Sequence, residues 1–243
     1  MLQTIKKIIV FGRNNESTRL GWLKSQLASI PAGYRVLDAG AGQQRNRQFC
    51  QHLRYVSQDF CQYEGKGDGK ALQTGTWNTT EIDIVSDITT IPLSDRSFDV
   101  VLCTEVLEHV PDPVKAVAEL ARIVNDQGKL IITAPFASLT HFAPYHFSSG
   151  LTSYWYKHHL EKLGFEIECT QHNGGWFDFL AQELWRLPWM GDQYSNRFLG
   201  YTALIFALPL ILLLKFMRSS DTMSSELLTF GWFIVAKRHP QQR

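Results

Sequence analysis

The sequence predicts an α/β fold in which a mostly parallel sheet is covered by helices on both faces. Short apolar runs typical of buried strands alternate with stretches that have the length and apolar spacing of helices. Several of these runs are followed at once by glycine or by an acidic residue, a pattern typical of the ligand-binding edge of such sheets. Apolar residues make up 44% of the 243 residues and charged residues 19%, so the chain can fill a large core.

Composition argues against several classes of protein. The formal net charge is +1, so no overall basic field favours a nucleic-acid partner. The four cysteines form no Cys-x-x-Cys pair and have no histidine cluster at zinc spacing beside them. We therefore predict no metal site and expect buried or bystander thiols in a reducing cytosol. The apolar run 8–11 is too short for the core of a signal peptide, which favours a cytoplasmic protein.

The first part of the chain predicts a helix, a strand, a second helix, a second strand and a loop. The segment 17–30 has leucine and isoleucine at helical spacing before a proline. Residues 35–38 form a short buried-strand pattern, and residues 45–53 can form the next helix. A second strand pattern, 55–59, ends on an acidic residue. Glycine and threonine dominate the segment 64–80, which predicts a long loop of the kind that is usually functional or mobile.

The next part continues the alternation of strands and helices. Three further strand patterns occupy 82–85, 98–103 and 129–134. Asp112 followed by Pro113 predicts a helix start, because a carboxylate N-cap and a proline at the first helical position are both favoured there. Gly128 suits the end of that helix.

Candidate ligand-binding residues follow the first three strands, because the carboxyl ends of parallel strands meet at one edge. Gly40 and Gly42 let the chain turn tightly and let a ligand approach the backbone, and the helix predicted after them would direct amides at an anionic group. Asp59 can accept hydrogen bonds from both hydroxyls of a ribose. Asp87 can accept from an adenine amino group while Ile88 covers the ring. Taken singly, such residues fit nicotinamide, flavin or S-adenosylmethionine binders, and also turns that bind nothing.

Several motifs in fixed order give a more specific signal. They occupy 36–42, 87–93, 97–101, 105–113, 128–135 and 163–167. In this order the chain resembles the class I S-adenosylmethionine-dependent methyltransferases, in particular the methyltransferase type 11 group. The resemblance covers about 36–167 and implies a Rossmann-like, mostly parallel seven-stranded sheet with helices on both faces. It also implies S-adenosyl-L-methionine as the cofactor.

The resemblance assigns roles to residues at matching positions. Asp38, Gly40 and Gly42 would form the loop on the methionine side of the cofactor. The family often has a third glycine in this loop, where this chain has Gln43 and Gln44. We expect that difference to reshape the loop and to leave binding intact, because the two close-approach glycines remain.

Further residues follow the later strands of the resemblance. Asp59 would bind the ribose, although the residues that flank it are not those usual in the family. Asp87 and Ile88 would bind adenine. Thr104 would lie near the methionine part of the cofactor.

The segment 140–147 should lie over the methyl side of the cofactor, because it follows the fifth strand. It contains two imidazoles and three aromatic rings. His141 or His146 could orient or deprotonate an acceptor, since histidine is the usual general base near neutral pH. The alternative is that these side chains pack and hydrogen-bond within a cover over the site. His109 is interpreted as structural.

The resemblance predicts an enzyme that methylates an unidentified acceptor. Acceptors considered are a small molecule, a glycan or a lipid-linked precursor. Two other readings stay open, namely a non-catalytic Rossmann-like partner-binding subunit and a nicotinamide-dependent oxidoreductase. The motifs at Asp87 and at 105–113 disfavour the oxidoreductase.

An apolar run near the end complicates the single domain predicted for residues 1–243. Residues 198–214 carry no charge and lie within a predicted helical insertion, 176–226. A single membrane crossing would separate the last strand pattern, 228–237, from its sheet. We therefore expect a buried helix, a dimer contact, or peripheral contact of 198–217 with the inner face of the membrane.

Overall fold

The computed structural model describes residues 10–239, so the apolar run 8–11 lies partly outside the described residues. Its sheet has seven strands. The strands are β1 (Arg35–Ala39), β2 (Arg54–Asp59), β3 (Ile84–Val85), β4 (Phe98–Thr104), β5 (Val124–Pro135), β6 (Phe165–His172) and β7 (Gly231–Arg238). The helices are α1 (Asn15–Ala28), α2 (Pro113–Ile123), α3 (Ser153–Lys162), α4 (Trp176–Trp185), α5 (Leu187–Tyr194) and α6 (Arg197–Arg218).

The order of the strands in the sheet is β3-β2-β1-β4-β5-β7-β6. Strands β1 to β5 pair with one another in parallel, and β7 is antiparallel to its neighbour β5. The predicted Rossmann-like, mostly parallel seven-stranded fold is therefore confirmed. Because β1, β2, β3 and β4 are parallel neighbours, their carboxyl ends lie along one edge, and the loops after them can meet there.

Helices cover both faces of the sheet because side chains alternate between faces along each strand. Leu37 and Val101 lie in one apolar cluster with Leu120 of α2 and Tyr156 of α3. The residues next to Leu37 along β1 and next to Val101 along β4 point to the other face and include members of a second cluster, which also contains Leu27 of α1. The clusters contain fully buried leucine, valine and isoleucine, which is the packing expected of strands covered on both sides.

The start of α2 is the one that the sequence predicts. Asp112 Oδ1 accepts a hydrogen bond from the backbone N–H of Lys115 at 2.9 Å, and Pro113 occupies the first turn. The predicted end is wrong, because Ile123 is the last helical residue and Gly128 lies inside β5. A register shift between β4 and β5 accommodates this early start of the strand.

The helix predicted over 45–53 is also wrong. Only a single 3-10 turn, Arg47–Phe49, forms there. The apolar residues of this segment, Phe49, Cys50 and Leu53, all lie in its second half, so a helix over 45–53 would have no apolar face to bury in its first turn. The glycine turn after β1 is consequently not followed by a helix whose amides could bind an anion.

The described chain divides into two compact units. The sheet unit contains residues 22–171 and 231–239, and the helical unit contains residues 10–21 and 172–230. Within the helical unit, Arg218 Nε lies 2.6 Å from Asp178 Oδ2, and Trp185 Nε1 donates to the carbonyl of Phe11 at 2.9 Å. Its longest helix, α6, has 22 residues and a mean hydropathy of 2.0 in its most apolar window, which satisfies the length and composition of a membrane span.

Candidate functional site

The turn after β1 is built on two glycines in left-handed conformation. Gly40 has φ of +74° and Gly42 has φ of +51°. A Cβ on Gly40 would lie 2.4 Å from Cγ2 of Val106, and a Cβ on Gly42 would lie 2.5 Å from Cζ2 of Trp77. Both positions therefore require glycine, for the backbone conformation and for the close approach of these neighbours.

Asp59 joins the end of β2 to this turn. Its Oδ2 accepts from the backbone N–H of Gly42 at 2.9 Å, and its Oδ1 accepts from that of Cys61 at 2.8 Å. Burial raises the pKa of this carboxyl, and the backbone hydrogen bonds oppose the rise. An ionised carboxylate has about four acceptor sites, so Asp59 keeps the capacity to accept from a ribose hydroxyl group.

Asp87 and Ile88 follow β3 at the same edge. Asp87 Oδ1 accepts from the backbone N–H of Thr89 at 2.7 Å, which fixes the orientation of the carboxylate. Ile88 is buried. Together they offer one acceptor beside one apolar surface, the combination that an adenine ring needs.

These residues surround one cavity of about 430 Å³ that lies wholly within the sheet unit. Of the predicted cofactor residues, five line it, and these are Gly40, Gly42, Asp59, Asp87 and Ile88. The other lining residues are Gln58, Phe60, Gln62, Tyr63, Trp77, Val85, Ser86, Glu105, Val106, His109, Val110, Pro111, Phe142, Tyr145 and Phe147.

Asp38 and Thr104 are not among the lining residues. Asn46 Nδ2 donates to Asp38 Oδ2 at 3.1 Å and to Thr104 Oγ1 at 3.2 Å, and the Tyr55 hydroxyl donates to Asp38 Oδ2 at 2.7 Å. Complete burial raises the pKa of Asp38 to about 6, although both donors act to lower it. The network thus links Asp38 near the end of β1 to Tyr55 on β2 and, through Asn46, to Thr104 at the end of β4.

Asn46 and Tyr55 hold the carboxylate of Asp38, and the sequence did not predict either contact. The sequence predicts a helix around Asn46 and a strand around Tyr55, and neither pattern indicates a hydrogen bond to Asp38. A buried acid such as Asp38 requires hydrogen-bond donors, and that requirement is the signal that could have prompted a search for them.

The glycine-rich loop after β2 and the segment after β5 pack on each other beside the cavity. Leu72 forms an isolated bridge with His141, and the backbone N–H of Phe142 donates to the carbonyl of Leu72 at 2.9 Å. The rings of Tyr63 and Phe142 stack with their centroids 4.6 Å apart. The long loop predicted over 64–80 is therefore held in place by these contacts and contributes Trp77 to the cavity wall, and Tyr63 lies just before it.

Three histidines cluster beside the cavity, where these two segments pack on each other. His109 lines the cavity, whereas His141 and His146 adjoin it without being lining residues. The ring centroids of His109 and His141 are 4.6 Å apart, and those of His141 and His146 are 4.8 Å apart. Burial and then the neighbouring His141 lower the pKa of His109 to about 3, with a smaller contribution from His146, while the Tyr145 carbonyl opposes them. Burial also lowers the pKa of His146, followed by the effect of His141.

The comparisons with known proteins agree with this architecture. A family model described as a methyltransferase domain matches residues 37–132, from β1 to β5. The chain is 34% identical over 122 residues to demethylmenaquinone methyltransferase from Renibacterium salmoninarum, covering 49% of this chain and 47% of that protein. Residues 37–132 thus match a methyltransferase domain, and together the comparisons support a class I S-adenosylmethionine-dependent methyltransferase.

A second relative and a solved structure extend the comparison. Ubiquinone biosynthesis O-methyltransferase from Bordetella bronchiseptica is 28% identical over 121 residues, covering 45% of this chain and 46% of that protein. The chain thus spans about half the length of these curated relatives. A methyltransferase structure from Archaeoglobus fulgidus superposes with a TM-score of 0.54 at 16% identity, covering 92% of this chain and 94% of that one, which supports the fold.

The cofactor of this methyltransferase class is S-adenosylmethionine, and the cavity offers a donor set that fits it. The bare backbone of Gly40 and Gly42 can lie against the amino-acid part. Asp59 can accept from the ribose hydroxyls, and Asp87 with Ile88 can hold the adenine. The fit rests on the chemistry of these groups around one cavity.

Proposed function

We propose that this protein transfers a methyl group from S-adenosylmethionine to a small aromatic acceptor of the quinol type. The observation that carries the proposal is the convergence of the glycine turn, Asp59 and the Asp87–Ile88 pair on one cavity at the ends of parallel strands. Neither a lone glycine turn nor a lone acid would be specific, whereas the combination matches the three parts of one nucleoside cofactor.

The chain would act mainly by binding, orientation and exclusion of water. The bound cofactor supplies an activated methyl group on a sulfonium, so the acceptor needs alignment more than covalent help. Asp59 and Asp87 would fix the nucleoside, while Phe142, Tyr145 and Phe147 form an aromatic wall beside it. Such a wall shields the reacting atoms from water and offers a surface on which a flat ring can stack.

The quinol class of acceptor is supported by two independent observations. The cavity wall is rich in aromatic side chains, among them Phe60 and Tyr145, whose rings pack edge to face at 5.0 Å. The names of the relatives refer to demethylmenaquinone and to ubiquinone biosynthesis. A glycan would more naturally require a wall of polar hydrogen-bonding side chains.

An acceptor panel tests this proposal. The purified protein is incubated with labelled S-adenosylmethionine and with a short-chain naphthoquinol, a catechol or an oligosaccharide, and the methylated product is detected by mass spectrometry. We expect product from an aromatic acceptor and at least a tenfold loss in Asp87→Ala. Asp126→Ala is the control, because Asp126 pairs with Arg96 on the surface and lies outside the cavity. Turnover of the oligosaccharide alone would overturn the acceptor class.

The role of His141 or His146 in handling the acceptor stays a prediction. Both imidazoles adjoin His109, which lines the cavity, so either could act through it. Replacement of each by alanine should lower turnover with the aromatic acceptor while affinity for S-adenosylhomocysteine is kept. Unchanged turnover in both variants would contradict this role.

We further propose that α6 lies on the lipid surface of the inner face of the membrane and so brings the protein to a lipid-soluble acceptor. Only 22% of the residues in its most apolar window are buried. Phe198, Phe206 and Phe216 are each at least three-quarters exposed. Arg197 and Lys215 lie near its two ends, where basic side chains favour anionic headgroups.

Vesicle flotation tests the membrane contact. The protein should float with vesicles containing anionic lipid, and Phe206→Glu should lower the bound fraction severalfold because it places a charge on the apolar surface. Asp126→Glu serves as a control, because it conserves a surface charge in the sheet unit. Equal flotation of Phe206→Glu and the unmodified protein would contradict lipid contact through α6.

A further inference from the structure

We propose that His109, His141 and His146 form a binding site for a divalent transition-metal ion of the Zn²⁺ class, with the carboxylate of Glu108 beside it. Each imidazole offers one ring nitrogen, and these three atoms all lie within 4.8 Å of one another. The residues come from two separate segments that only the fold brings together. Their sequence spacing carries no metal motif, which explains why composition and spacing predicted no metal site.

The hydrogen bonds of two of the rings leave the same nitrogen available to a metal. Nδ1 of His109 contacts the carbonyl of Tyr145 at 2.5 Å, and Nδ1 of His141 contacts that of Leu139 at 2.8 Å. A carbonyl can only accept, so Nδ1 donates in both contacts and Nε2 carries the lone pair. A backbone carbonyl behind a metal-binding histidine fixes the tautomer and the ring orientation in this way.

Both of these Nε2 atoms face the same carboxylate. Glu108 Oε1 lies 3.6 Å from Nε2 of His109 and 3.9 Å from Nε2 of His141. Glu108 is almost completely buried, at 1% exposure. Two ring nitrogens with available lone pairs and a carboxylate that face one another form a donor set that a transition-metal ion can bind.

A proton alone satisfies the cluster less well than a metal ion. Within residues 10–239, Nε2 of His109 and Nδ1 of His146 are buried and have no hydrogen-bond partner. Three imidazoles this close cannot all be protonated, because the cations would repel each other. Neutral imidazole is also the form that binds metals.

The donor set indicates the class of ion. Three imidazole nitrogens with a carboxylate suit Zn²⁺ and its neighbours in the first transition row, whereas Mg²⁺ and Ca²⁺ prefer oxygen donors. Bonds of about 2.0–2.1 Å in tetrahedral geometry place ligand atoms on the order of 3.3 Å apart. The separations of 3.6 Å and 3.9 Å to Glu108 are close to that spacing, whereas the ring nitrogens lie up to 4.8 Å apart, so the imidazoles would have to rotate toward one another to bind the ion.

Metal titration of the full chain tests the site without cofactor or acceptor, so its outcome is independent of the proposed methyl transfer. The protein, free of any histidine tag and treated with chelator, is titrated with Co²⁺ while its visible absorption is recorded. We expect one saturable equivalent, the strong visible band of tetrahedral Co²⁺, and displacement by Zn²⁺. His141→Ala and His146→Ala should each weaken binding at least tenfold.

His158→Ala is the matched control, because His158 and His159 form another contacting pair of rings, on α3. It should bind Co²⁺ as the unmodified protein does. Circular dichroism checks the fold of each variant, and His146→Gln replaces His146→Ala if the latter unfolds. Absence of saturable Co²⁺ binding, or equal binding in His141→Ala, would overturn the proposal.

Discussion

At the scale of single residues, burial separates acids that the sequence treats alike. Asp38, Asp59 and Asp87 all lie at or near the ends of strands, yet only Asp59 and Asp87 line the cavity. Asp38 is one residue before the end of β1, and its side chain points to donors on β2 and on the following loop. The sequence shows that an acid is near a strand end, but the direction of its side chain depends on partners distant in the chain.

The pKa of Asp38 gives a residue-scale prediction. Its carboxyl should titrate near pH 6 by carbon-13 NMR, because burial disfavours its charge. In Tyr55→Phe the midpoint should rise, since the carboxylate loses the donor that lies 2.7 Å away. A midpoint near 3.8, the ordinary value, would contradict the burial of Asp38.

The raised pKa of Asp38 also determines how the stability of the fold changes with pH. Because the pKa of Asp38 is higher in the folded protein, its contribution to stability is complete below about pH 3.8 and is lost as the pH rises through about 6. The loss amounts to about 3 kcal/mol. In urea unfolding, the free energy of unfolding should decline less between pH 4 and 7 in Asp38→Asn than in the unmodified protein. Identical declines in both proteins would contradict it.

Two glycines that flank β1 give a matched pair. Gly33 and Gly40 have φ of +82° and +74°, but a Cβ on Gly33 would meet nothing within 4 Å, whereas one on Gly40 would crowd Val106. Gly33→Ala should cost about 1–2 kcal/mol for conformation alone. Gly40→Ala should cost about 1–3 kcal/mol more through crowding. Equal costs in urea unfolding would show that Val106 moves aside freely.

At the scale of elements, amphipathic segments were predicted well and polar ones were not. The helices α1 and α2 bury periodic apolar faces, which the sequence records directly. The stretch 45–53 has apolar residues only in its second half and forms a single 3-10 turn, and the side chain of Asn46 just before it hydrogen-bonds Asp38. The two-residue strand β3 likewise depends on its pairing with β2.

The N-cap of α2 gives a prediction at this scale. Asp112→Ala removes the acceptor for the backbone N–H of Lys115 and should lower the free energy of unfolding by about 1 kcal/mol. Asp126→Ala also removes one exposed carboxylate but lies outside any cap, so its effect should be a few tenths of a kcal/mol. Urea unfolding measures both, and a larger loss in Asp126→Ala would contradict the capping role.

At the scale of the whole molecule, the sequence predicted the sheet, the cofactor class and the helical segment before the last strand. It did not predict the polar network around Asp38 or the convergence of His109 with His141 and His146. Strand and helix patterns depend on residues that are close in the chain and can therefore be recognised in the sequence. These clusters instead join segments that are far apart in the chain. The same distinction explains why the cofactor class could be predicted from ordered motifs while the acceptor could not.

The central claim is that one cavity at the ends of β1 to β4 binds the nucleoside of S-adenosylmethionine. Titration calorimetry with S-adenosylhomocysteine measures this most directly, with NAD as the comparison ligand. We predict one binding event per chain with S-adenosylhomocysteine, none of comparable affinity with NAD, and at least tenfold weaker binding in Asp59→Ala. Absence of binding at millimolar S-adenosylhomocysteine, or tighter binding of NAD, would contradict the claim.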